Sequence, residues 1–349
     1  MSRLHSLFDE FGQSPWLDNL SRETLEDGTI QRYIDDGIRG ITSNPTIFEK
    51  AMGNTDIYDE QFKKLQAKGL SVEDSYWEMA ITDIRSACKL FQPLYQSSGG
   101  NDGFVSIEVD PRISGDTQAT VAMAKDLWER VDMNNVMIKI PATKAGIPAI
   151  EEAIAQGINV NVTLIFSLVR YQEVLDAYTK GVERFDGPNA PKSVGSFFVS
   201  RVDTAVDNQL KAIDPQHELM GSAATAQARV AYGMFLDQFK DSHISLQRPL
   251  WASTSTKNPN YPDTLYIDEL IAANSVNTIT ENSIKLFNEH GTLATTITPD
   301  NITEAQEQLR KLEQVGVNLE KVAGDLEEAG VSSFEESFDS LLQTLANKN

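Results

Sequence analysis

One short apolar stretch with a single lysine decides how this chain folds: Val136–Pro141, with the sequence VMIKIP. Such a run is typical of a strand that is buried on both faces of a parallel sheet. Because side chains alternate along a strand, the branched residues share one face and Lys139 lies on the other. In a closed barrel one face meets the helices and the other points to the interior. We therefore expect Lys139 to point into a barrel.

Seven further stretches of the same kind occur along the chain. Helical patterns lie between them, at 75–94, 117–130, 147–156, 168–184 and 203–212. The strand candidates span residues 15–280, a length that fits one (β/α)8 barrel. This alternation predicts the α/β class, as a single TIM barrel with additional helices and a helical C-terminal extension. The eight strand candidates are 15–19, 40–44, 104–109, 136–140, 159–164, 193–199, 249–253 and 276–280.

The chain contains no Pro-, Gly- or Ser-rich boundary, repeat or low-complexity segment that would divide it. We therefore predict a single domain over residues 1–349, with a barrel core at about 14–280 and a helical extension at about 281–349. Within the extension, Thr303 with Gln306 and Ser333 with Glu336 predict capping boxes. An apolar stripe at helical spacing predicts packing on the barrel or on a partner subunit. The stripe is Phe334, Phe338, Leu341, Leu342 and Leu345.

The composition restricts the partners and the chemistry. Asp and Glu total 51 against 30 Lys and Arg, giving a net charge of -21, which repels nucleic acid and anionic lipid. We therefore expect no nucleic-acid and no membrane partner, and any anionic substrate needs local cations. Cys88 is the only cysteine and the four histidines are far apart, so neither a disulfide nor a Cys/His zinc site is expected. A cytoplasmic location is expected.

Polar side chains recur near the predicted C-terminal ends of the inward strand faces, where barrel enzymes have their active sites. A buried lysine alone is often only a structural ion-pair partner. A set converging from several strands is harder to explain as packing, because every buried polar group costs free energy unless it is paired. The set is Lys139, Asp18, Asn44, Glu108, Asn161, Thr163 and Ser196.

This set permits one kind of chemistry without a metal or an organic cofactor. Burial disfavours the charged form of a lysine, and the neutral amine attacks a carbonyl to form a Schiff base. The resulting iminium accepts electrons when the adjacent carbon-carbon bond breaks. Asp18 could move the proton of the hydroxyl group next to the breaking bond. Glu108 and Thr163 could relay the water that Schiff-base formation releases and takes up.

Five blocks, in order and each at a predicted strand end, resemble the transaldolase family. The resemblance covers the chain from Asp18 to roughly Thr280 and is closest to the longer-chain bacterial branch. Together the five blocks are a strong signal, whereas one alone would be weak. They are GITSNPT at 40–46, EVDPR at 108–112, IKIPAT at 138–143, NVTLIFS at 161–167 and FFVSRVD at 197–203.

The resemblance implies an enzyme of the pentose phosphate pathway that acts on sugar phosphates. It would move a dihydroxyacetone unit from sedoheptulose 7-phosphate to glyceraldehyde 3-phosphate, giving erythrose 4-phosphate and fructose 6-phosphate. It implies that Lys139 is the Schiff-base nucleophile and Asp18 the acid/base group, and that a water is held by Glu108 and Thr163. The implied substrate-binding residues are Asn44, Asn161, Ser196 and Phe198, with Arg201 as the main phosphate ligand, whose guanidinium suits a bidentate grip.

One departure from the family pattern concerns the second phosphate-binding arginine. The family commonly carries it after the seventh strand, where this chain has 251–257, WASTSTK, without an arginine. Lys257, helped by Ser253 or Ser255, is the predicted replacement. The alternative is that Lys257 is only a solvated loop charge. We favour the phosphate role because an acidic protein must concentrate cations where an anion binds.

Three other functions are weighed against this one. Fructose-6-phosphate aldolases are shorter relatives with a Gln in place of the water-binding Glu and a Tyr near the Schiff base, where this chain has Glu108 and Phe198. A non-catalytic sugar-phosphate-binding barrel would be expected to lose the lysine or its acid partner. A metal-dependent aldolase would need clustered histidine ligands. The sequence leaves the oligomeric state open between monomer and homodimer.

Overall fold

The computed structural model describes residues 2–53, 55–295 and 297–348. Eight parallel strands close into a barrel in which each strand pairs with its neighbours in chain order and β1 pairs with β8. This confirms the predicted α/β class and the single (β/α)8 barrel. The strands are β1 (Ser14–Leu17), β2 (Gly40–Thr42), β3 (Phe104–Glu108), β4 (Val136–Pro141), β5 (Val160–Ile165), β6 (Ser193–Phe198), β7 (Gln247–Ala252) and β8 (Val276–Ile279).

Helices surround the barrel, and each of the five predicted helical segments is confirmed. The described ranges contain fifteen α-helices and one short 3-10 helix at Pro111–Ile113. The helices are α1 (Arg3–Asp9), α2 (Arg22–Glu26), α3 (Thr29–Asp35), α4 (Pro45–Gly53), α5 (Asp59–Ala67), α6 (Val72–Ser97), α7 (Thr117–Val131), α8 (Gly146–Ala155), α9 (Leu168–Arg184), α10 (Ser200–Ile213), α11 (Ala223–Phe239), α12 (Leu265–Asp268), α13 (Glu281–His290), α14 (Pro299–Gln314) and α15 (Leu319–Ala346).

The strand register places the polar residues at one level of the barrel. In β3 and β4, Glu108 lies beside Lys139, and in β4 and β5, Lys139 lies beside Asn161. Side chains at the same height in neighbouring strands of a barrel point the same way. Three of the inward polar residues that the alternation predicted are therefore neighbours on β3, β4 and β5.

Large apolar side chains fill the inside of the barrel and the layer between the strands and the helices. Trp16 in β1 and Trp251 in β7 are fully buried. Gly40 in β2 makes room for Trp16, because a Cβ at this position would lie 2.6 Å from the indole ring. The closed barrel is therefore a packed core and not a pore.

The C-terminal helix α15 packs on the barrel, as the apolar stripe predicted. Phe334, Phe338, Leu341 and Leu345 are buried and belong to the same hydrophobic cluster as the barrel. The helix contacts α4, α6, α10, β5 and the 3-10 helix that follows β3. It therefore crosses the end of the barrel at which the strands finish. Across the described ranges, no helix combines the length and apolar character that a membrane span requires.

Both predicted capping boxes in the extension are wrong. Thr303 lies inside α14, whose true cap is Thr298, paired with Asn301 and followed by Pro299. Ser333 lies in the middle of α15, which begins after the cap Asn318. The Ser/Thr-x-x-Glu/Gln pattern also arises by chance on the polar face of a helix, where both residue types are common.

Candidate active site

A cavity of about 320 Å³ opens at the C-terminal end of the barrel. Side chains from the strand ends, α4, α10, the loop after β7 and α15 line it. It is the place where barrel active sites are found. Eight of the ten residues that the sequence singled out line this cavity: Asp18, Asn44, Lys139, Thr163, Ser196, Phe198, Arg201 and Lys257.

Lys139 and Glu108 form a buried ion pair beside the cavity. Lys139 Nζ lies 2.9 Å from Glu108 Oε2 and donates a hydrogen bond to the Ser43 carbonyl oxygen at 3.0 Å. The two residues are 5 % and 6 % exposed. Burial raises the pKa of the Glu108 carboxyl, and the nearby Lys139 charge opposes that rise. Glu108 is therefore unusually ready to take a proton from the amine in front of it.

Glu108 does not line the main cavity itself. It lies behind Lys139 and borders a small adjoining space that Tyr76 and Phe338 also border. A weaker rise in the pKa of Glu108 comes from the Asp18 charge. Glu108 is therefore placed to act on the reacting space through Lys139, and a water held by Glu108 and Thr163 stays a prediction.

Asp18 follows β1 and is half-buried at the cavity wall. Thr42 Oγ1, at the end of β2, donates a hydrogen bond to Asp18 Oδ1 at 2.8 Å. Thr42 also lines the cavity and is a site residue that the sequence analysis did not select. The alternation of side chains along β2 could have identified Thr42 as an inward-facing polar residue. Thr163 lines the same cavity from β5 and is 1 % exposed.

Asn161 lies below the cavity and does not line it. Its side-chain oxygen accepts a hydrogen bond from Ser196 Oγ at 2.7 Å, and its nitrogen donates to Ser106 Oγ at 3.0 Å. Asn161 is fully buried, whereas Ser196 lines the cavity above it. In the structure, Asn161 orients the Ser196 hydroxyl. Direct binding of substrate by Asn161 stays a prediction.

Arg201 presents an unpaired guanidinium to the cavity. Among the described residues it has no carboxylate within salt-bridge distance, although burial lowers its pKa. The guanidinium carbon lies 5.5 Å from the centre of the Phe198 ring, which Phe166 supports at 5.1 Å. A half-buried cation without a counterion favours the binding of an anion, since a bound anion offsets the lost hydration.

Two exposed lysines stand at the rim of the cavity. Lys257 follows β7, and Ser253 and Ser255 line the cavity near it, as the sequence analysis expected. Lys50 of α4 also lines the cavity and was missed. Because α4 begins directly after Asn44, Lys50 could have been placed there by its helical spacing of three from Ile47, another lining residue.

The helical extension supplies a wall of the site. Phe334 of α15 lines the cavity, and its ring centre lies 5.9 Å from Lys139 Nζ. A cation at this distance from a ring face is attracted by it. Thr46 of α4 and Ser337 of α15 are joined by a hydroxyl hydrogen bond of 2.8 Å, which fixes the helix over the cavity. The sequence analysis predicted packing for Phe334 but not this position.

Comparisons with known proteins agree with this geometry. The sequence profile of the family described as Transaldolase/Fructose-6-phosphate aldolase matches residues 15–345. A protein named transaldolase from Saccharopolyspora erythraea is 44 % identical, over 99 % of this chain and 97 % of its own length. One from Mycobacterium bovis is 45 % identical, over 95 % and 93 %. "Transaldolase 1" from Streptomyces avermitilis is 43 % identical, over 99 % and 95 %.

The match extends over all eight strands and most of α15, so it covers the barrel and the helix that walls its cavity. The relatives have nearly the same length as this chain, since the matches cover more than nine tenths of both partners. The profile and the relatives therefore refer to the whole arrangement and not to a fragment of it. On this basis the chain belongs to the transaldolase/fructose-6-phosphate aldolase family.

Proposed function

We propose that this protein is a transaldolase in which Lys139 forms the Schiff base. It moves a dihydroxyacetone unit from sedoheptulose 7-phosphate to glyceraldehyde 3-phosphate, and releases erythrose 4-phosphate and fructose 6-phosphate. The observation that carries the proposal is the buried Lys139–Glu108 pair at 2.9 Å, beside a cavity bordered by an unpaired arginine.

The first step needs a neutral amine, and Glu108 provides for it. A proton that passes from Lys139 Nζ to Glu108 leaves an uncharged amine and an uncharged acid, which the low polarity of the site favours. The amine attacks the ketone carbon of the donor and forms a carbinolamine. Loss of hydroxide as water, with a proton returned from Glu108, gives the iminium. Thr163 can hold that water in reach of both groups.

The second step breaks a carbon-carbon bond, and Asp18 is the proposed base. It takes the proton of the donor hydroxyl next to the breaking bond, while the bonding electrons pass into the iminium and give an enamine. The short aldehyde leaves and the acceptor aldehyde binds. The enamine then attacks the acceptor carbonyl, and Asp18 returns the proton to the new alkoxide. Thr42, bonded to Asp18 at 2.8 Å, keeps the carboxylate oriented.

The remaining cavity residues bind and orient the sugar phosphate. Asn44 and Ser196 are placed to bind hydroxyls of the covalent intermediate, with Asn161 fixing the Ser196 hydroxyl from below. Arg201 is the proposed main phosphate ligand and Lys257 a helper at the rim. These cations act locally, because the field of a chain with a net charge of -21 repels an anionic substrate at long range.

Borohydride trapping tests the nucleophile. The protein is incubated with fructose 6-phosphate, reduced and digested, and the modified peptide is identified by mass spectrometry. We expect the adduct on Lys139 and none after Lys139→Arg substitution. Lys257→Gln serves as the matched control, since it removes another lysine of the same cavity and should leave the adduct in place. An adduct on Lys50 or Lys257 in the unaltered chain would refute the assignment.

A second assay separates transfer from simple cleavage, which the family also includes. Fructose 6-phosphate is supplied with and without erythrose 4-phosphate. We expect turnover only with the acceptor, because Phe334 and Phe198 wall the intermediate against water. Rapid release of free dihydroxyacetone without an acceptor would identify a fructose-6-phosphate aldolase instead.

The organisation and location of the protein belong to the same proposal. We propose that barrel and tail form one domain, supported by the shared hydrophobic cluster that contains Phe338 and Leu341. The single, buried Cys88 suits a reducing compartment and supports a cytoplasmic location. Size-exclusion chromatography with light scattering would decide between monomer and homodimer.

A further inference from the structure

A second cavity, of about 530 Å³, lies at the opposite, N-terminal end of the barrel. It opens where β3, β6 and β7 begin, and the proposed catalytic residues do not reach it. Phe8 and Leu246 contribute apolar walls. Three cationic side chains, Arg39, Lys192 and Arg248, line the cavity and converge on the adjacent residues Asn101 and Asp102.

Two of these cations share a single carboxylate. Asp102 is 1 % exposed and accepts hydrogen bonds from Arg39 Nε at 2.8 Å, Arg248 Nη2 at 3.1 Å and Ser14 Oγ at 2.9 Å. Arg39 is stacked on Phe8, with its guanidinium carbon 3.4 Å from the ring centre. One negative charge therefore faces two fixed guanidinium groups.

Within the described part of the chain, the third cation, Lys192, has only neutral partners. Lys192 Nζ donates to Asn101 Oδ1 at 3.1 Å and to Ser245 Oγ at 3.0 Å. Burial and the nearby Arg248 charge both lower the pKa of Lys192. Three cations thus face one carboxylate, so the cluster has two excess positive charges, within a protein whose net charge is -21. Such an excess of partly buried charge is costly unless an anion joins it.

We propose that this cavity is a second anion site, which binds the phosphate group of inorganic phosphate or of a small phosphate monoester. Arginine and lysine side chains that already hold fixed positions bind phosphate oxygens without further ordering. The apolar walls give room for the organic part of an ester next to its phosphate. The site lies at the other end of the barrel from Arg201, so both anion sites can be filled together.

The loop between α6 and β3 positions the residues that the three cations contact. After α6 the backbone turns through Gly99 and Gly100, both with positive φ (63° and 75°), and delivers Asn101 to the cavity. Asn101 contacts two of the three cations, since its carbonyl oxygen also accepts from Arg248 Nη2 at 2.7 Å. The loop therefore fixes the spacing of Lys192 and Arg248 and leaves the cavity beside them open.

Calorimetric titration with inorganic phosphate at constant ionic strength tests the proposal. The titrations use the unaltered chain, Arg201→Gln, and Arg201→Gln combined with Lys192→Gln. The first substitution removes the proposed phosphate ligand of the active site. We expect Arg201→Gln to keep one saturable site, and the added Lys192→Gln to weaken that site at least about tenfold, as the loss of a charged hydrogen-bond donor implies.

Two further variants control this experiment. Lys68→Gln removes an exposed lysine remote from the cavity and should change phosphate affinity less than about twofold, as a screened surface charge does. Ser245→Asp places a carboxylate beside Lys192 and should weaken binding by a similar factor to Lys192→Gln. The melting temperature without phosphate confirms that each variant is folded.

The outcomes are distinct. Absence of saturable phosphate binding in Arg201→Gln would overturn the proposal. The cluster would then only hold the strand ends together at this end of the barrel. Binding that Lys192→Gln and Ser245→Asp do not weaken would also overturn it. Glycerol 3-phosphate, which has no carbonyl and forms no Schiff base, separates the two sources. Tighter binding of this ester than of phosphate indicates an ester ligand, and equal binding indicates free phosphate.

Discussion

At the C-terminal end of the barrel Lys139 faces Glu108 beside a cavity, whereas at the N-terminal end Asp102 is held between Arg39 and Arg248. All these groups are partly or fully buried. At the N-terminal end the carboxylate accepts three hydrogen bonds and has little capacity left. At the C-terminal end the lysine has two oxygen partners and lines an open space.

The difference teaches how burial of charge serves two purposes in one barrel. A carboxylate that is saturated with donors cannot react, and its partners hold the strand ends together. Lys139 lines an open cavity and lies beside a carboxyl with a raised pKa. It can therefore exchange a proton with Glu108 and react with a substrate in the cavity. Substitutions at the two ends should therefore separate activity from stability.

The largest expected effect is the loss of turnover in Lys139→Ala. Removal of the covalent nucleophile should lower kcat by more than about 10⁴-fold, as for other enzymes that lose their nucleophile. Stability should change little, because Glu108 can become protonated once its partner is gone. Steady-state assays and urea unfolding measure the two quantities. Residual activity within about a hundredfold of the unaltered chain would contradict the covalent role.

The opposite pattern is expected for Asp102→Asn at the other end. The substitution leaves Arg39 and Arg248 without their shared counterion, and the free energy of unfolding should fall by about 3–5 kcal/mol. At temperatures where the variant is folded, kcat should stay within about twofold, because this cluster does not reach the catalytic cavity. If kcat fell in proportion to stability, the two ends would not be separable.

A third comparison contrasts Asp102, held by guanidinium groups, with Asp203 of α10, held by neutral donors. Asp203 accepts from the Ala224 N–H and from Tyr266 Oη, each at 2.8 Å. Burial raises the pKa of Asp203 to about 6, against an ordinary value of 3.8. Between these values the folded chain holds a proton that the unfolded chain has released. This contribution to stability is full below about pH 4 and is lost as the pH rises through 6.

Asp203→Asn should remove that pH dependence. Relative to the unaltered chain, the variant should gain about 2 kcal/mol in the free energy of unfolding between pH 4 and pH 6.5. Urea unfolding at both pH values measures the change, and the difference between variant and unaltered chain cancels the other titrating groups. A difference that does not vary with pH would show that Asp203 titrates normally.

The smallest expected effects concern the proposed phosphate-binding residues of the catalytic cavity. Arg201→Gln should raise KM for phosphorylated substrates about tenfold or more with a small change in kcat. A contact to the phosphate, far from the reacting carbon, stabilises the bound substrate and the transition state equally. Lys257→Gln should raise KM only two- to threefold, since Lys257 is exposed and screened. Equal effects of both substitutions would mean that Lys257 fully replaces an arginine.

The sequence predicted the features that depend on local periodicity. The alternation in Val136–Pro141 placed Lys139 inside the barrel, and the register with β3 and β5 then brought it beside Glu108 and Asn161. What it missed depends on contacts between distant segments. Phe334 reaches Lys139 from a helix almost two hundred positions later, and no local pattern encodes that approach.

The depth of a side chain was equally hard to predict. Asn161 and Ser196 both face the interior, yet only Ser196 reaches the cavity, because Asn161 lies lower in the barrel and is covered by it. The capping boxes show a related limit, since Thr298 and not Thr303 begins α14. Short polar motifs fix a helix start only where the preceding backbone is extended.

The pairing of β1 with β8 imposes an order on how the chain is made. Ser14 lies beside Val276, so the first strand waits for most of the polypeptide before its second neighbour leaves the ribosome. Phe334 follows later still, and only then is the wall beside Lys139 complete. At synthesis rates of roughly 5–20 residues per second, this delay lasts on the order of ten seconds or more. The nascent chain therefore carries Lys139 long before it has the enclosed site that makes this lysine reactive.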